Sequence, residues 1–413
     1  MAVQNINTEI CIVGAGPAGA TASLFLAQMG IPHLILDAAV FPRDKVCGDG
    51  LDLKVMRVLR QLDPDIVEKE IAGNPAFSPS WGARFITPNG RTSDYVYLPR
   101  PGEPQYPLFW VAKRLHFDDF LVKKLDPRFA DFRPGTKVTQ VIRDGNAWRL
   151  LAKGPGGDLE IRARLLLGAD GDHSVVLRGL GERKIDRRHY AGTLRQYWTG
   201  VAGVHPQNLI EVYFPPGLPL SYFYLFPLPG GEVNVGYGMV SEVAARGQHR
   251  LRDIFQHLIL HDPVLAPRFR YAEPLETPVG WGLPLASRRR QACGDGYLLL
   301  GDAASLICPT TGEGIGSAMM SGFIAAHFAR KAVTANRFDA AIFAGYETEI
   351  YRRLNTEIRQ YQILRRFLPW RWYELGLNTL VPTPILRTFF QQQAGNWLRT
   401  AYEREIEIVI GGH

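Results

Sequence analysis

Cysteine is scarce, with four residues at positions 11, 47, 293 and 308 in a chain of 413. Their spacing builds neither a disulfide framework nor a metal site, which suits a reducing compartment and excludes a small disulfide-stapled fold. Long apolar runs are also missing. The nearest, residues 312–329, is broken by Glu313 and His327, so no segment reads as a bilayer-spanning helix. The first seven residues lack the basic start and apolar core of a secretory signal, and a cytoplasmic location is expected. There is no internal repeat and no low-complexity segment. Acidic residues are outnumbered, 40 against 47 Lys and Arg, leaving a net charge of +7. Such a surplus suits nucleic acid, anionic lipid or an anionic small molecule. No nucleic-acid motif accompanies it, and nucleic acid is set aside. What remains, 46% hydrophobic and 21% charged, is an ordinary globular composition on a chain long enough for two domains.

The most organised stretch lies near the start. Residues 9–13 form a β-branched apolar run that reads as a buried strand. It breaks into a turn, Gly14, Ala15, Gly16, Pro17, Ala18 and Gly19, then into residues 20–29, whose apolar spacing suits a helix. A second apolar run, residues 33–36, ends on Asp37. Strand, glycine turn, helix, strand and acid in this order form the dinucleotide-binding fingerprint in its structural context. Gly14 permits the tight turn, Gly16 lets backbone approach a diphosphate, and Gly19 lets the helix pack closely on the strand. The helix start offers unpaired N–H groups and a positive dipole end to that diphosphate. Asp37 stands where an acid accepts hydrogen bonds from an adenosine ribose. A glycine turn without a ligand is the plain alternative, and the complete unit weighs against it.

Farther along, residues 41–50 are dense in Gly and Asp and read as a loop, and 51–62 as a helix. Residues 82–86 and 91–97 alternate on either side of Pro88, Asn89 and Gly90, which predicts a hairpin. Residues 114–125 suit a helix, and 137–143, 147–152 and 159–167 three strands. From 190 to 284 the pattern is mostly strand, with one helix near 251–260. Residues 296–300 form another strand candidate and 314–333 a long helix. From 338 onward the chain reads as helical and rich in Arg, Trp, Phe and Leu.

Two later motifs narrow the ligand. An apolar strand from Leu165 ends in Asp170 and Gly171. A second, from Tyr297, runs into Gly301 and Asp302 and is followed by Pro309, Thr310, Thr311, Gly312, Glu313, Gly314 and Ile315. In these residues, and in the Arg-x-x-Phe-Asp segment from Arg114 to Asp118, the chain resembles the group A FAD-dependent fold of aromatic hydroxylases, halogenases and geranylgeranyl reductases. The resemblance implies FAD, with Asp302 on the ribityl chain, Arg114 close to the cofactor, and the Gly312 to Gly314 turn against the pyrimidine end of the isoalloxazine. A helix N-terminus there stabilises the negative charge of reduced flavin. The cofactor site so implied comprises Gly14, Gly16, Pro17, Ala18, Gly19, Asp37, Arg43, Cys47, Gly48, Arg114, Val138, Asp170, Gly171, Gly301, Asp302, Pro309, Gly312, Gly314 and Ile315.

Within that group, Pro42, Arg43, Asp44, Lys45, Val46, Cys47, Gly48 and Asp49 look like the Pro-Arg-x-Lys-x-Cys-Gly-Asp segment of geranylgeranyl reductases. Residues 219–227 look like their Pro-x-x-Tyr-x-Trp-x-Phe-Pro motif, with Tyr224 where the family usually has Trp. That departure bears on the prenyl substrate and not on the family. The resemblance covers residues 9–333 and implies a flavoprotein that saturates isolated double bonds of an isoprenoid chain. The implied fold is α/β: a Rossmann-type FAD-binding domain with an inserted mixed β-sheet substrate domain and a C-terminal helical region. Its expected parts are 1–75, 111–180 and 291–337 for FAD, 76–110 and 181–290 for substrate, and 338–413 for the helices.

The chemistry follows from the reaction. Saturating an alkene takes a hydride and a proton, and no side chain donates hydride; reduced FAD does. An unactivated alkene accepts hydride only as it is protonated, so the protein must hold a weak acid in a dry pocket. Cys47, Asp49, Tyr222 and Tyr224 are the catalytic candidates. Tyr222, Tyr224 and Phe226 alternate and share one strand face, which serves either as substrate wall or as plain core. Cys47 is either a small hydrophobe in a turn or a positioned thiol beside Arg43 and Gly48. Cys11 reads as core and Cys308 as structural.

An oxygen-using hydroxylase or halogenase is the alternative enzyme on this fold. The halogenase pattern Trp-x-Trp-x-Ile-Pro is absent, and residues 222–227 stand in the comparable segment. A lipid-binding protein with structural FAD is the third reading. NAD(P)H suits the Arg288, Arg289 and Arg290 run, although a solvated basic loop explains it more simply. With no second glycine fingerprint NAD(P)H would visit only transiently, and a ferredoxin-like donor is equally compatible. The basic aromatic run 365–373 suits an anionic membrane surface, a lid over the cavity or a dimer contact.

Overall fold

Parallel pairing of the first strand, Gln4–Val13, with Gly157–Gly168 on one side and His33–Leu36 on the other builds the sheet that carries the glycine turn. The computed structural model describes residues 3–182, 185–248, 250–367 and 370–408. Tyr297–Leu299 and Ala130–Arg133 extend this sheet at its two sides. Ile10, Cys11 and Ile12 and the facing Leu165, Leu166 and Leu167 are wholly buried, as expected of parallel strands covered on both faces. The first strand begins at Gln4, earlier than its apolar run, because Gln4 to Thr8 pair in register with Leu159 to Ala163. The strands Lys137–Asp144 and Ala147–Gly154 hang from the same sheet as an antiparallel meander.

The first helix, Pro17–Gln28, also starts earlier than its apolar spacing suggests, because proline suits the first helical position. It crosses the long helix Ile315–Ala335 at backbone distance: a Cβ on Gly322 would lie 2.3 Å from the Ala18 carbonyl. The helix expected from 51 begins at Leu53, because Asp52 Oδ1 accepts the Val55 N–H at 3.1 Å and caps it. Gly50–Leu51 is thereby free to pair with Phe109–Val111 in a small three-stranded sheet.

The second large sheet centres on Tyr190–Thr199, Glu232–Val240, Ser221–Pro227 and Ile210–Tyr213, with the hairpin Gly82–Ile86 and Thr92–Val96 at one side and Val279–Pro284 at the other. It is antiparallel except where Ile210–Tyr213 meets Gly82–Ile86. Helix Leu251–His261 covers one face, and Phe223, Leu225 and Tyr237 join its Phe255 and Leu258 in a separate core. Tyr222, Tyr224 and Phe226 therefore turn to the opposite face.

The C-terminal part holds helices Tyr346–Phe367, Trp370–Leu380 and Pro384–Tyr402. Residues 338–345 are turns instead of helix. Tyr346, Ile350, Tyr351 and Leu354 belong to the core of the first sheet, and Tyr346 donates its hydroxyl to the Leu299 carbonyl at 2.9 Å. Of the run 365–373, only Trp372 and Tyr373 fall among the described side chains. Among the described residues, no helix is long and apolar enough to cross a membrane.

Candidate active site

A cavity of about 810 Å³ lies between the two large sheets and is lined from both. The glycine turn forms part of its wall. Gly14 has φ +100°, and a Cβ there would lie 2.4 Å from the Ala169 carbonyl oxygen. A Cβ on Gly19 would meet the Gly14 carbonyl at 1.8 Å. Gly19 is outside the lining, so its part is close packing. No side chain caps the helix at Gly16, and Arg43 Nη2 is 3.6 Å from where a Gly16 Cβ would stand. The helix Ile315–Ala335 likewise starts at Gly314 without a side-chain cap. Two open helix starts and a guanidinium on one cavity fit a diphosphate at one place and an anionic ring edge at another. FAD carries both.

The other implied cofactor residues divide. Pro17, Ala18, Gly48, Val138, Gly171, Gly301, Asp302, Gly312 and Ile315 line the cavity, with Lys45 Nζ 3.3 Å from Asp302 Oδ2. Asp37 lines it too, while accepting the Ala15 and Ala39 N–H groups at 2.7 and 2.8 Å. Each of its oxygens keeps a lone pair for a ribose hydroxyl. Asp170 is in the wall, but its carboxylate is committed to the helix Val175–Gly179: it accepts Ser174 Oγ at 2.6 Å, Val175 N at 2.6 Å and Val176 N at 3.2 Å. Pro309 is outside the lining. Arg114 is buried and bidentate on Asp118 at 2.5 and 2.7 Å, and Arg43 Nη1 reaches the same carboxylate at 2.7 Å. One acid thus holds two guanidinium groups at the cavity.

The Cys-Gly-Asp loop enters from the same side. Asp49 stands in the wall of the cavity. It has no exposure, and it accepts the Tyr197 hydroxyl at 2.7 Å, Asn234 Nδ2 at 2.7 Å and the Arg114 N–H at 3.3 Å. Asn234 Nδ2 also donates to the Cys47 carbonyl at 2.8 Å, which ties the loop to the central strand of the second sheet. Burial raises the Asp49 carboxyl to about 7, against the hydrogen bonds of Tyr197 and Asn234 and the charges of Arg195 and Arg114. Cys47 is only partly buried and lines the cavity. Burial pushes its thiol up, against the pull of Arg114. It keeps its proton at neutral pH.

The aromatic face meets this loop directly. A Cβ on Gly48 would lie 3.3 Å from the Phe226 ring and 3.6 Å from that of Tyr224. The Tyr222 and Tyr224 rings are 6.3 Å apart, and those of Tyr224 and Phe226 4.9 Å. The Tyr222 hydroxyl donates to the Thr311 carbonyl at 2.5 Å, which joins the strand to the turn that leads into Gly312 and Gly314. Burial raises both tyrosines. Tyr224 lies over Gly236, where a Cβ would be 2.2 Å from its hydroxyl.

Sequence reasoning missed a second layer. Arg195 is almost fully buried, pairs with Asp44 at 2.8 Å and Glu276 at 3.3 Å, and lies 4.0 Å over the Tyr197 ring. Its signal was the one cation in the strand Tyr190–Thr199. Glu313, between the two turn glycines, is raised to about 7 by burial and by Asp52, against Lys54. The Arg288–Arg290 run is largely tied to protein: Arg290 to Ser305 Oγ at 3.1 Å and the Glu182 carbonyl at 3.0 Å, and Arg288 to Asp186 at 3.7 Å. Cys11 and Cys308 are buried, the latter 3.1 Å from Thr310 Oγ1.

These features define a FAD-dependent oxidoreductase. The FAD binding domain family matches residues 7–213, half of the chain, and the chain belongs to that family. Relatives include a menaquinone reductase of Mycobacterium tuberculosis, 30% identical over 78% of this chain and 76% of its own length. A digeranylgeranylglycerophospholipid reductase of Methanothermobacter thermautotrophicus is 27% identical over 89% of this chain and 88% of its own. Among solved structures, a geranylgeranyl bacteriochlorophyll reductase-like protein of Thermoplasma acidophilum aligns with a TM-score of 0.74 at 21% identity, covering 97% of this chain and 93% of the other. A flavin-dependent brominase aligns at 0.75 and 20%, covering 94% and 93%. At those identities the structures show the shared fold. The chain is a member of the geranylgeranyl reductase family.

Proposed function

We propose that this enzyme saturates carbon–carbon double bonds in an isoprenoid or related apolar chain. The observation that carries the reading is the junction of the Cys47 loop with the Tyr222, Tyr224 and Phe226 face in the wall of one cavity. When bound and reduced, FAD supplies the hydride. The chain's own residues do the rest. The aromatic face holds an alkyl chain and excludes water. Cys47 holds a proton at the cavity wall, and Asp49, Tyr197 and Asn234 fix the loop that presents it. Asp49 is a positioning residue in this reading, and Tyr222 steadies the flavin-side turn through Thr311. We propose as electron donor a nicotinamide dinucleotide or a ferredoxin-like protein that visits without a domain of its own.

The test is anaerobic. Dithionite-reduced enzyme is given geranylgeranyl lipids, and flavin reoxidation with products heavier by pairs of hydrogens is expected. No reoxidation with any prenyl lipid tried sinks the reading. A product that gains oxygen in air would instead support the hydroxylase alternative.

A further inference from the structure

The hairpin of helices Trp370–Leu380 and Pro384–Tyr402 is fastened to the edge of the second large sheet. The Tyr95 hydroxyl donates to the Val381 carbonyl at 2.5 Å, Glu374 Oε1 accepts the Gly217 N–H at 2.5 Å, and Asn378 Oδ1 accepts the Asn89 N–H at 3.1 Å. An aromatic series links this edge to the cavity. Phe85 and Phe214 line the cavity with ring centroids 6.4 Å apart. Phe85 meets Tyr95 at 5.5 Å, Tyr95 meets Phe390 of the hairpin at 5.4 Å, and Phe390 meets the exposed Trp397 at 5.8 Å. The hairpin presents Trp372, Leu375, Leu380, Ile385, Leu386 and Phe389 to solvent, Ile385 at 80% exposure. Trp372 and Leu375, three apart, share a helix face, as do Ile385 and Phe389, four apart. A soluble surface rarely gathers so many large apolar side chains without a use for them.

Charge singles out the occupant. From Trp370 to Tyr402 the hairpin holds Arg371, Arg387 and Arg399 and one acid, Glu374. That acid is engaged by the Gly217 N–H. Exposed apolar side chains on a helical hairpin with surplus basic charge match an anionic bilayer, where the side chains enter the acyl boundary and arginines meet headgroups. We propose that this hairpin docks the enzyme on an anionic lipid surface, with the Phe85 and Phe214 edge of the cavity turned to the membrane. The inference rests on the proposed lipid substrate for its purpose, and its test does not use turnover.

The yellow holoprotein is floated with phosphatidylglycerol–phosphatidylcholine vesicles, and separately with phosphatidylcholine alone. Binding to the anionic vesicles, weakened by salt and absent without the anionic lipid, is expected. Leu375→Glu with Phe389→Glu should lower the bound fraction about tenfold or more. Ile385→Ser with Phe389→Ser should lower it less, and retained flavin and an unchanged melting temperature show that each variant is folded. The proposal is overturned if the wild type stays with the soluble fraction, or if the glutamate pair floats equally well. It is also overturned if the wild type is a dimer that the glutamate pair dissociates and neither binds vesicles, which makes the patch a contact between copies. Reduction of a short prenyl substrate dispersed without vesicles tests the reaction separately. An enzyme that reduces it but never floats keeps its activity and loses the docking surface.

Discussion

Cys47 and Asp49 stand two positions apart on one loop and differ in burial. Both line the cavity, Cys47 partly buried and Asp49 with no solvent exposure. Cys47→Ala should lower alkene reduction about 10²- to 10⁴-fold, the range of a lost general acid, while dithionite still reduces the flavin normally. Single-turnover reoxidation measures this, and a loss within about threefold would remove Cys47 from the proton path. Asp49 sets the pH dependence. Its carboxyl, ordinarily near 3.8, is raised to about 7. Below that it is neutral. Above it the new charge raises the Cys47 thiol further and makes it a poorer acid. The rate of alkene reduction should therefore fall as pH rises through about 7, and Asp49→Asn should abolish that step in the pH profile. The sign for stability agrees: the fold favours the protonated acid, so its contribution is complete below 3.8 and lost as pH rises through about 7. Asp118 is a different case, since two guanidinium groups share its buried carboxylate. Asp118→Ala leaves them unpaired and should cost about 3–5 kcal/mol by urea unfolding, with flavin lost first. The residues of the glycine turn and the Cys-Gly-Asp loop were legible in sequence because glycine spacing and local motifs carry them. The partial exposure of Cys47 and the complete burial of Asp49 were not, because Tyr197 and Asn234 come from strands far along the chain.

Among elements, the strand Ser221–Pro227 is the clearest case of sequence foretelling structure. Period-two alternation alone puts Tyr222, Tyr224 and Phe226 on one face, and the opposite face, Phe223 and Leu225, is core. Alternation cannot say which face meets a cavity. That depends on helix Leu251–His261 covering the other side. The neighbouring strand, Glu232–Val240, makes room with Gly236, over which Tyr224 lies. Gly236→Ala should push the Tyr224 ring from its place and raise KM for a long-chain substrate several-fold, while FAD affinity stays unchanged. Titration of apoprotein with FAD alongside steady-state kinetics separates the two; equal losses in both would mean that the strand, not the ring, was disturbed. Element ends were read less well than element types. The helix at Leu53 waits for its Asp52 cap, and Gly50–Leu51 becomes strand because Phe109–Val111 is there to pair with it.

At the scale of the whole molecule, the C-terminal helices Tyr346–Phe367 and Pro384–Tyr402 contribute to the FAD unit's core and are not an appendage. Tyr346, Ile350, Tyr351 and Leu354 lie in the same apolar cluster as the first strand and the long helix Ile315–Ala335. A chain ended after residue 337 exposes that cluster, and it should yield no soluble yellow protein; a stable flavin-binding truncation would contradict this. The sequence alone determined a dinucleotide site, because a diphosphate site is built from one contiguous strand, turn and helix, and its later motifs, by resemblance, implied FAD and the family. It also determined which side chains share a strand face, since pleating fixes their direction. Only the tertiary structure decided that Asp49 loses all solvent exposure, that Arg195 is buried between Asp44 and Glu276, and where the exposed apolar hairpin stands relative to the cavity wall. Burial and charge pairing arise between segments far apart in the chain, and no local pattern encodes the distance between them.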